Sequence, residues 1–339
     1  MRVGWSFSIG GHHFTVLSLP PIPTSTLRST VGLDVKPTQL IWGCDSSRQF
    51  EKNWLRHLLP PLDCEISATP FENITSLPVN AGRVLVESGL LFLEKIIAED
   101  RIYLLQKQRR QRLQLLADLG PFCLIHISDE EGLDGDLLYP MLPKGTCVWR
   151  NFPYPRFESH GLTIRSFPIG PRGEFLGPQP VVLSSSRRFP WTFMGTLWRS
   201  SQRLLSTSLF LRALPQGVYF GGKNFGQGVP LADYKNVLSD SVFALCPEGD
   251  RHFDTFRLFE SLQMGCLPVV VEREGQARQV LGHDFPLPIF PDWPAALMFV
   301  RSNLPKPLVL DQMQDDVQSW WKRRKASLSA LLHKDLLYS

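Results

Sequence analysis

The residues best placed to do chemistry lie within positions 241–272, the run SVFALCPEGDRHFDTFRLFESLQMGCLPVVVE. An apolar strand over residues 242–245 leads into the polar loop Pro247-Glu248-Gly249-Asp250. A helix follows, with Asp254 and Thr255 at its start as capping residues. Gly265 closes that helix, and Leu267-Pro268-Val269-Val270-Val271 reads as the next buried strand. Such a strand-loop-helix turn aims free backbone N–H groups and the positive end of a helix dipole at an anion. Arg257, one turn inside, adds a bidentate contact suited to phosphate. Glu260 lies three residues on, faces the same side, and has the reach to accept two ribose hydroxyls. Gly249 lets the backbone approach a ligand closely. The chemistry implied is capture of a nucleoside diphosphate. The plainer reading of the same spacing is a capped helix with an Arg257–Glu260 surface pair, worth less than about 1 kcal/mol.

The elements that must position this turn alternate between strand and helix. Residues 39–44 read as a buried strand and 47–59 as an amphipathic helix, with Phe50, Trp54, Leu58 and Leu59 at helical spacing. Residues 64–68 and 83–87 are short strand candidates, 100–119 a long helix stopped by Gly120-Pro121, and 122–128 and 146–152 further strands. The proline-rich stretch 153–188 has linker composition. A second series follows: strands at 191–195, 217–221, 241–246 and 267–271 alternate with helices at 201–213, 231–238 and 254–264, before a last helix at 311–332. Apolar strands alternating with helices predict parallel sheets covered on both faces. The expected organisation is an irregular arm over 1–30, a Rossmann-like domain over 31–165, a second over 166–310, and a C-terminal helix over 311–339 packing back on the first domain. The fold class is α/β, with two Rossmann-like domains facing across a cleft and ligands beyond the carboxyl ends of the strands.

Composition narrows the classes. The 339 residues are 43% hydrophobic and 20% charged, a globular balance large enough for two cores. A formal net charge of +4, with scattered Lys and Arg, argues against nucleic acid but suits a pocket for a diphosphate. No stretch has the roughly 20 apolar residues that a membrane span needs, and residues 1–30 lack the pattern of a signal peptide. The six cysteines, Cys44, Cys64, Cys123, Cys147, Cys246 and Cys266, form no Cys-x-x-Cys pair and read as buried reduced thiols, so a cytoplasmic setting is expected. The Asn73-Ile74-Thr75 triplet is read as a chance match to a glycosylation acceptor.

Several motifs together resemble the exostosin family of glycosyltransferases. They are Cys246-Pro247-Glu248-Gly249, then Thr255-Phe256-Arg257-Leu258-Phe259-Glu260, then Gly265-Cys266-Leu267-Pro268-Val269. The resemblance is nearest the ribitol xylosyltransferase-like branch. It is carried there by residues 249–255, by Phe193-Met194-Gly195-Thr196, by His126-Ile127-Ser128-Asp129-Glu130 and by Arg150-Asn151-Phe152. It spans roughly residues 120–300 and is strongest over 241–272. It implies a GT-B fold and an inverting transfer from a nucleotide-sugar, of the UDP-sugar class, bound in the C-terminal domain. The acceptor, a glycan or lipid-linked hydroxyl, is implied in the N-terminal domain. No metal and no other cofactor is expected, because arginine and helix termini neutralise the leaving diphosphate. On this reading Pro247, Glu248, Gly249, Thr255, Arg257, Glu260 and Gly195 bind the donor. Animal members carry a membrane anchor; without one, a cytoplasmic microbial enzyme of surface-polysaccharide or lipid-linked glycan synthesis is expected. Two other classes compete: a catalytically inactive nucleotide-sugar-binding partner of another transferase, and a GT-B type nucleotide-sugar epimerase.

Inversion needs a base, and Asp129 and Glu130, ending a strand at the expected cleft edge, are the candidates. Either could instead cap the next helix, and His126 reads as a core histidine. A second cation for the diphosphate is sought among Arg187, Arg188, Arg199 and Arg203, with Arg199 favoured at the start of the helix after Gly195-Thr196. Arg150 could face the cleft and Trp293 could line a base pocket. The run Lys322-Arg323-Arg324-Lys325 reads as a solvated helix face, or as peripheral contact with an anionic membrane.

Overall fold

The computed structural model describes residues 5–9, 12–16, 39–42, 49–59, 83–88, seven positions between 107 and 118, and 120–197. It further describes 202–222, 228–249, 252–272 and 275–337; only backbone is described for 5–9, 12–16, 39–42, 49–50, 83–88, 158–160 and 337. The first unit, Met1–Lys36, contains an antiparallel hairpin of β1 (Trp5–Ile9) and β2 (His12–Val16), with Trp5 opposite Val16. The expectation for residues 1–30 is an irregular arm. Alternation in Trp5-Ser6-Phe7-Ser8-Ile9 is the strand signal that the flanking prolines obscured.

The second unit, Pro37–Ser339, holds two five-stranded sheets. The first runs in chain order: β3 (Gln39–Trp42), β4 (Arg83–Ser88), β5 (Cys123–Ile127), β6 (Cys147–Arg150) and β7 (Thr163–Ser166), every pair parallel. β7 falls in the stretch read as linker; its four residues are too short and too polar for periodicity to reveal. The strand candidate at 64–68, most of the helix expected at 100–119, Cys44 and Cys64 lie outside the described residues. Along β5 the two faces separate, with Cys123, Ile125 and Ile127 joining one buried cluster and Phe122 and Leu124 another.

The second sheet has the order β12-β11-β10-β8-β9 and is parallel throughout. Its strands are β8 (Phe189–Thr196), β9 (Val218–Gly222), β10 (Ser241–Leu245), β11 (Leu267–Val271) and β12 (Ile289–Phe290). Chain order reverses between β8 and β10, the switch point at which open α/β sheets form a crevice. The helix Phe256–Gln263 follows β10 and ends at Gly265, whose φ of +68° is the left-handed turn expected there.

Helices at Gln276–Leu281 and Trp293–Asn303 add to the expected set, and the second packs on β11 and β12. Asp292 caps the latter by accepting from the Ala295 N–H at 2.8 Å, and Trp293 is buried against Phe210, so it is a core residue and lines no pocket.

The last helix, Pro307–Leu337, is longer than expected at both ends. It packs on both sheets. Gln314 donates to Gly265 O at 2.7 Å, Trp321 stacks on Trp54 of the helix Gln49–Leu58, and Asp335 accepts from Trp149 Nε1 at 2.9 Å and pairs with Arg165. Of its basic run, Lys322 and Arg323 are exposed, whereas Arg324 donates to Val280 O and Lys325 to Gln263 Oε1, which corrects the picture of a wholly solvated face. Cys123, Cys147, Cys246 and Cys266 are buried free thiols. Among the described residues, no helix is long and apolar enough to cross a membrane.

Candidate active site at the switch point

The loops that end β8 and β10 flank the crevice, and two arginines tie them together. Arg203, at the start of the helix Arg203–Ala213, donates from Nη1 to Thr196 O at 2.6 Å and from Nε to Glu248 O at 2.9 Å. Arg257, in the first turn of the helix after β10, reaches back to β8 and donates to Met194 O from both Nε (3.1 Å) and Nη2 (3.0 Å). Its guanidinium sits 4.3 Å from the centre of the Phe193 ring and against Gly195, where any Cβ would overlap Nη2. Nη1 of Arg257 is buried and has no hydrogen-bond partner.

That orphan donor is one of a group. Of the twelve unpartnered buried side-chain polar atoms among the described residues, four belong to residues 252–257: His252 Nε2, Asp254 Oδ1, Thr255 Oγ1 and Arg257 Nη1. Buried polar atoms are ordinarily paired, so this concentration makes residues 252–257 the candidate place for a polar ligand. Thr255 stands at the helix N-cap position with extended backbone but makes no side-chain cap bond, contrary to the expected capping. Asp254 does not cap either; its Oδ2 accepts the Ile169 N–H at 3.3 Å, and burial pushes its carboxyl well above the usual range. His252 Nδ1 accepts from the Asp254 N–H at 3.1 Å, which leaves the ring hydrogen on Nε2. Burial drives the His252 pKa down to about 3, so the ring is neutral at pH 7.

Glu260 occupies a different position from the one expected. It is 1% exposed, its Oε1 is paired with Arg172 Nε, and its Oε2 accepts from the Tyr234 hydroxyl at 2.7 Å. Both oxygens therefore have protein partners, and the carboxylate is not an open acceptor for ribose hydroxyls. Arg172 and Tyr234 were not singled out from the sequence. The one available signal was an isolated arginine inside the Gly170-Pro171-Arg172-Gly173 turn.

The two carboxylates proposed for base chemistry separate cleanly. Asp129 is 3% exposed; it accepts from the Asp134 and Gly135 N–H groups at 3.1 and 3.0 Å and pairs with Arg150 at 3.2 Å. Burial raises its carboxyl pKa while Arg150 pulls the other way. It anchors the helix Leu133–Leu138 and does not face an acceptor. Arg150 is equally buried, donating to Asn151 O, Phe152 O, Tyr139 Oη and Asp129, so it does not face the cleft. Glu130 is half-buried, and its Oε1 accepts the His252 N–H at 3.2 Å and would meet a Cβ at Gly249 at 2.9 Å. It thus stands against the loop that follows β10. Ser128 and Phe152, which end β5 and β6, hold left-handed φ of 58° and 54°, the kind of backbone strain that gathers at functional sites.

The remaining cations resolve by position. Arg187 is buried at the far, amino-terminal end of the sheet, where it donates to Val182, Leu238, Ser241 and Met264 carbonyls. Arg188 pairs there with Asp240. Neither can reach the switch point. Arg199 lies outside the described residues. A crevice of about 210 Å³ between Arg187, Arg188, Pro190, Leu304 and Pro307 lies at that same far end. His126 is a core residue, bonded at 2.9 Å to the Tyr139 hydroxyl. Among the described residues no cluster of His, Cys, Asp and Glu could hold a metal ion.

Comparison with known proteins agrees with this geometry. Residues 161–309, the stretch containing the whole second sheet, match the model of the Exostosin GT47 domain. Solved structures that match include a mutant O-GlcNAc transferase from Thermobaculum terrenum, with a TM-score of 0.50 and 10% identity over 90% of this chain and 68% of that one. No curated protein matches the chain in sequence. The architecture is α/β of the GT-B type, and the chain is a glycosyltransferase.

Proposed function

We propose that the chain transfers a sugar from a nucleotide-sugar, of the UDP-sugar class, to a glycan or lipid-linked hydroxyl, with inversion and without a metal. The observation that carries this reading is Arg257 Nη1, a buried donor with no partner on a guanidinium whose Nη2 rests against Gly195 at the switch point. An anionic diphosphate supplies the acceptor that this nitrogen lacks, in a site whose donors are already oriented. The motifs over residues 249–255 and 193–196 support placement nearest the ribitol xylosyltransferase-like branch.

In the proposed step Glu130 takes the proton of the acceptor hydroxyl as its oxygen bonds to the anomeric carbon. The bond from that carbon to the diphosphate oxygen breaks on the opposite face. The negative charge that develops on the diphosphate falls to Arg257 and to the positive end of the dipole of the helix Phe256–Gln263. Arg203 fixes the spacing of the two loops.

A thermal-shift screen against UDP, GDP, CDP, ADP and their sugars tests the reading. One nucleotide class should raise the melting temperature of the wild type and fail to do so in Arg257→Ala; ligand at 100 times its Kd adds about 2.7 kcal/mol. No shift with any nucleotide in the wild type would overturn it.

A further inference from the structure

A diphosphate in the second half calls for a second cation, and the arginines near β8 are the ones that the sequence offers. Arg172 is elsewhere. It belongs to the segment that joins the two sheets, between the end of β7 at Ser166 and the start of β8 at Phe189. Its Nε is paired with Glu260 Oε1, and its guanidinium lies 5.5 Å from the centre of the Phe175 ring and 5.3 Å from that of Tyr234. Nη1 and Nη2 make no hydrogen bond to any described residue, and the side chain is 32% exposed. The guanidinium is therefore held by one edge and two rings, with its other edge turned to solvent.

The surroundings say what that edge is for. Glu260 lies three residues after Arg257 on the same helix, hence on the same face. The Tyr234 hydroxyl, bonded to Glu260 Oε2, connects the two arginines: burial raises its pKa first, Glu260 raises it further, and both Arg257 and Arg172 lower it. Arg172 is thus ion-paired with a carboxylate one turn along the helix from Arg257, whose Nη1 is buried without a partner. A phosphate-class anion matches the donors and the fork geometry of both side chains.

We propose that Arg172 is the second cation of the donor site, held by Glu260 through Nε and presenting Nη1 and Nη2 to the donor's diphosphate together with Arg257 Nη1. Glu260 then acts as a positioning residue for this cation. The inference rests on the nucleotide-sugar reading above and deepens it.

Titration calorimetry on the full chain tests it, with UDP, GDP, CDP and ADP and then the parent nucleoside of whichever diphosphate binds. Arg172→Ala should weaken the diphosphate about tenfold or more, and the phosphate-free nucleoside less than about twofold. Arg172→Lys should fall between, because a single ammonium cannot hold Glu260 and two phosphate oxygens as a planar fork does. Both variants should melt cooperatively. Equal loss for nucleoside and diphosphate overturns the proposal in favour of a purely structural role. Unchanged or tighter diphosphate binding in Arg172→Ala also overturns it, making Arg172 a plug over Glu260. If the wild type binds no nucleoside diphosphate at all, the nucleotide-sugar reading falls and this proposal with it.

Discussion

Arg257 and Gly195 form a contact that no other residue pair could make: the guanidinium rests where a side chain at 195 would begin. The φ of Gly195 is not positive, so proximity, not backbone freedom, requires glycine. Gly195→Ala should displace Arg257 from Met194 O and weaken nucleotide binding about tenfold or more, with cooperative melting retained. Calorimetry alongside circular dichroism checks both halves of that statement. Arg257→Lys should behave alike, since one ammonium cannot serve the Met194 carbonyl and an anion in the same plane.

Glu130 and Asp129 are neighbours with opposite fates, and mutation should separate them. Glu130→Gln should lower kcat by about 100-fold or more and leave nucleotide affinity within about twofold. Asp129→Ala strands Arg150 without its buried partner and should cost about 3–5 kcal/mol of stability. Kinetics read the first and denaturant unfolding the second. A Glu130→Gln enzyme with normal kcat would remove Glu130 from the chemistry.

His252 gives the protein an acid-sensitive loop. Its pKa falls from 6.5 to about 3 on folding, through burial first and the charge of Arg150 second. A depressed folded pKa contributes stability that is present above pH 6.5 and is lost as pH falls toward 3. Linkage puts the loss at about 3 kcal/mol by pH 4. His252→Asn, which can keep an acceptor for the Asp254 N–H, should flatten melting temperature against pH between 7 and 4. An unchanged slope would assign acid sensitivity elsewhere.

Asp335 is the common partner of Cys147, Trp149 and Arg165. Asp335→Ala leaves the buried Trp149 indole N–H without an acceptor and should destabilise by about 2–4 kcal/mol. Urea unfolding measures it, and a matched loss in Arg165→Ala is not expected, because Asp335 keeps its bonds to Cys147 and Trp149.

The donor turn was legible because its signals are local. The run 241–272 carries a strand, a polar loop, a helix and its glycine stop in order, and the structure puts each within two residues of its expected bounds. What escaped depends on contacts between distant residues. Nothing near Glu260 announces that Arg172, 88 residues earlier, occupies one of its oxygens. Asp129 and Glu130 look equivalent as letters; the burial that divides them comes from Arg150, 21 residues on. β7 escaped because four mixed residues cannot show a period, and its edge position is conferred by pairing with β6. The hairpin in the first unit was missed for the opposite reason, since prolines after it drew the whole segment into one polar reading.

The helix Pro307–Leu337 bears on how such a protein can be recombined. Its early residues hold the second sheet through Gln314, and its late ones complete the first through Asp335, 170 residues from Arg165. At about 1.5 Å per residue it is a rod of roughly 46 Å joining the two halves by their sides as well as by the chain. A chimera cut between β7 and β8 would therefore import a foreign last helix turn into the first sheet and leave Trp149 and Arg165 facing the wrong residue. Exchange of either half succeeds only if residues near 335 travel with the first half, although they are encoded after the second.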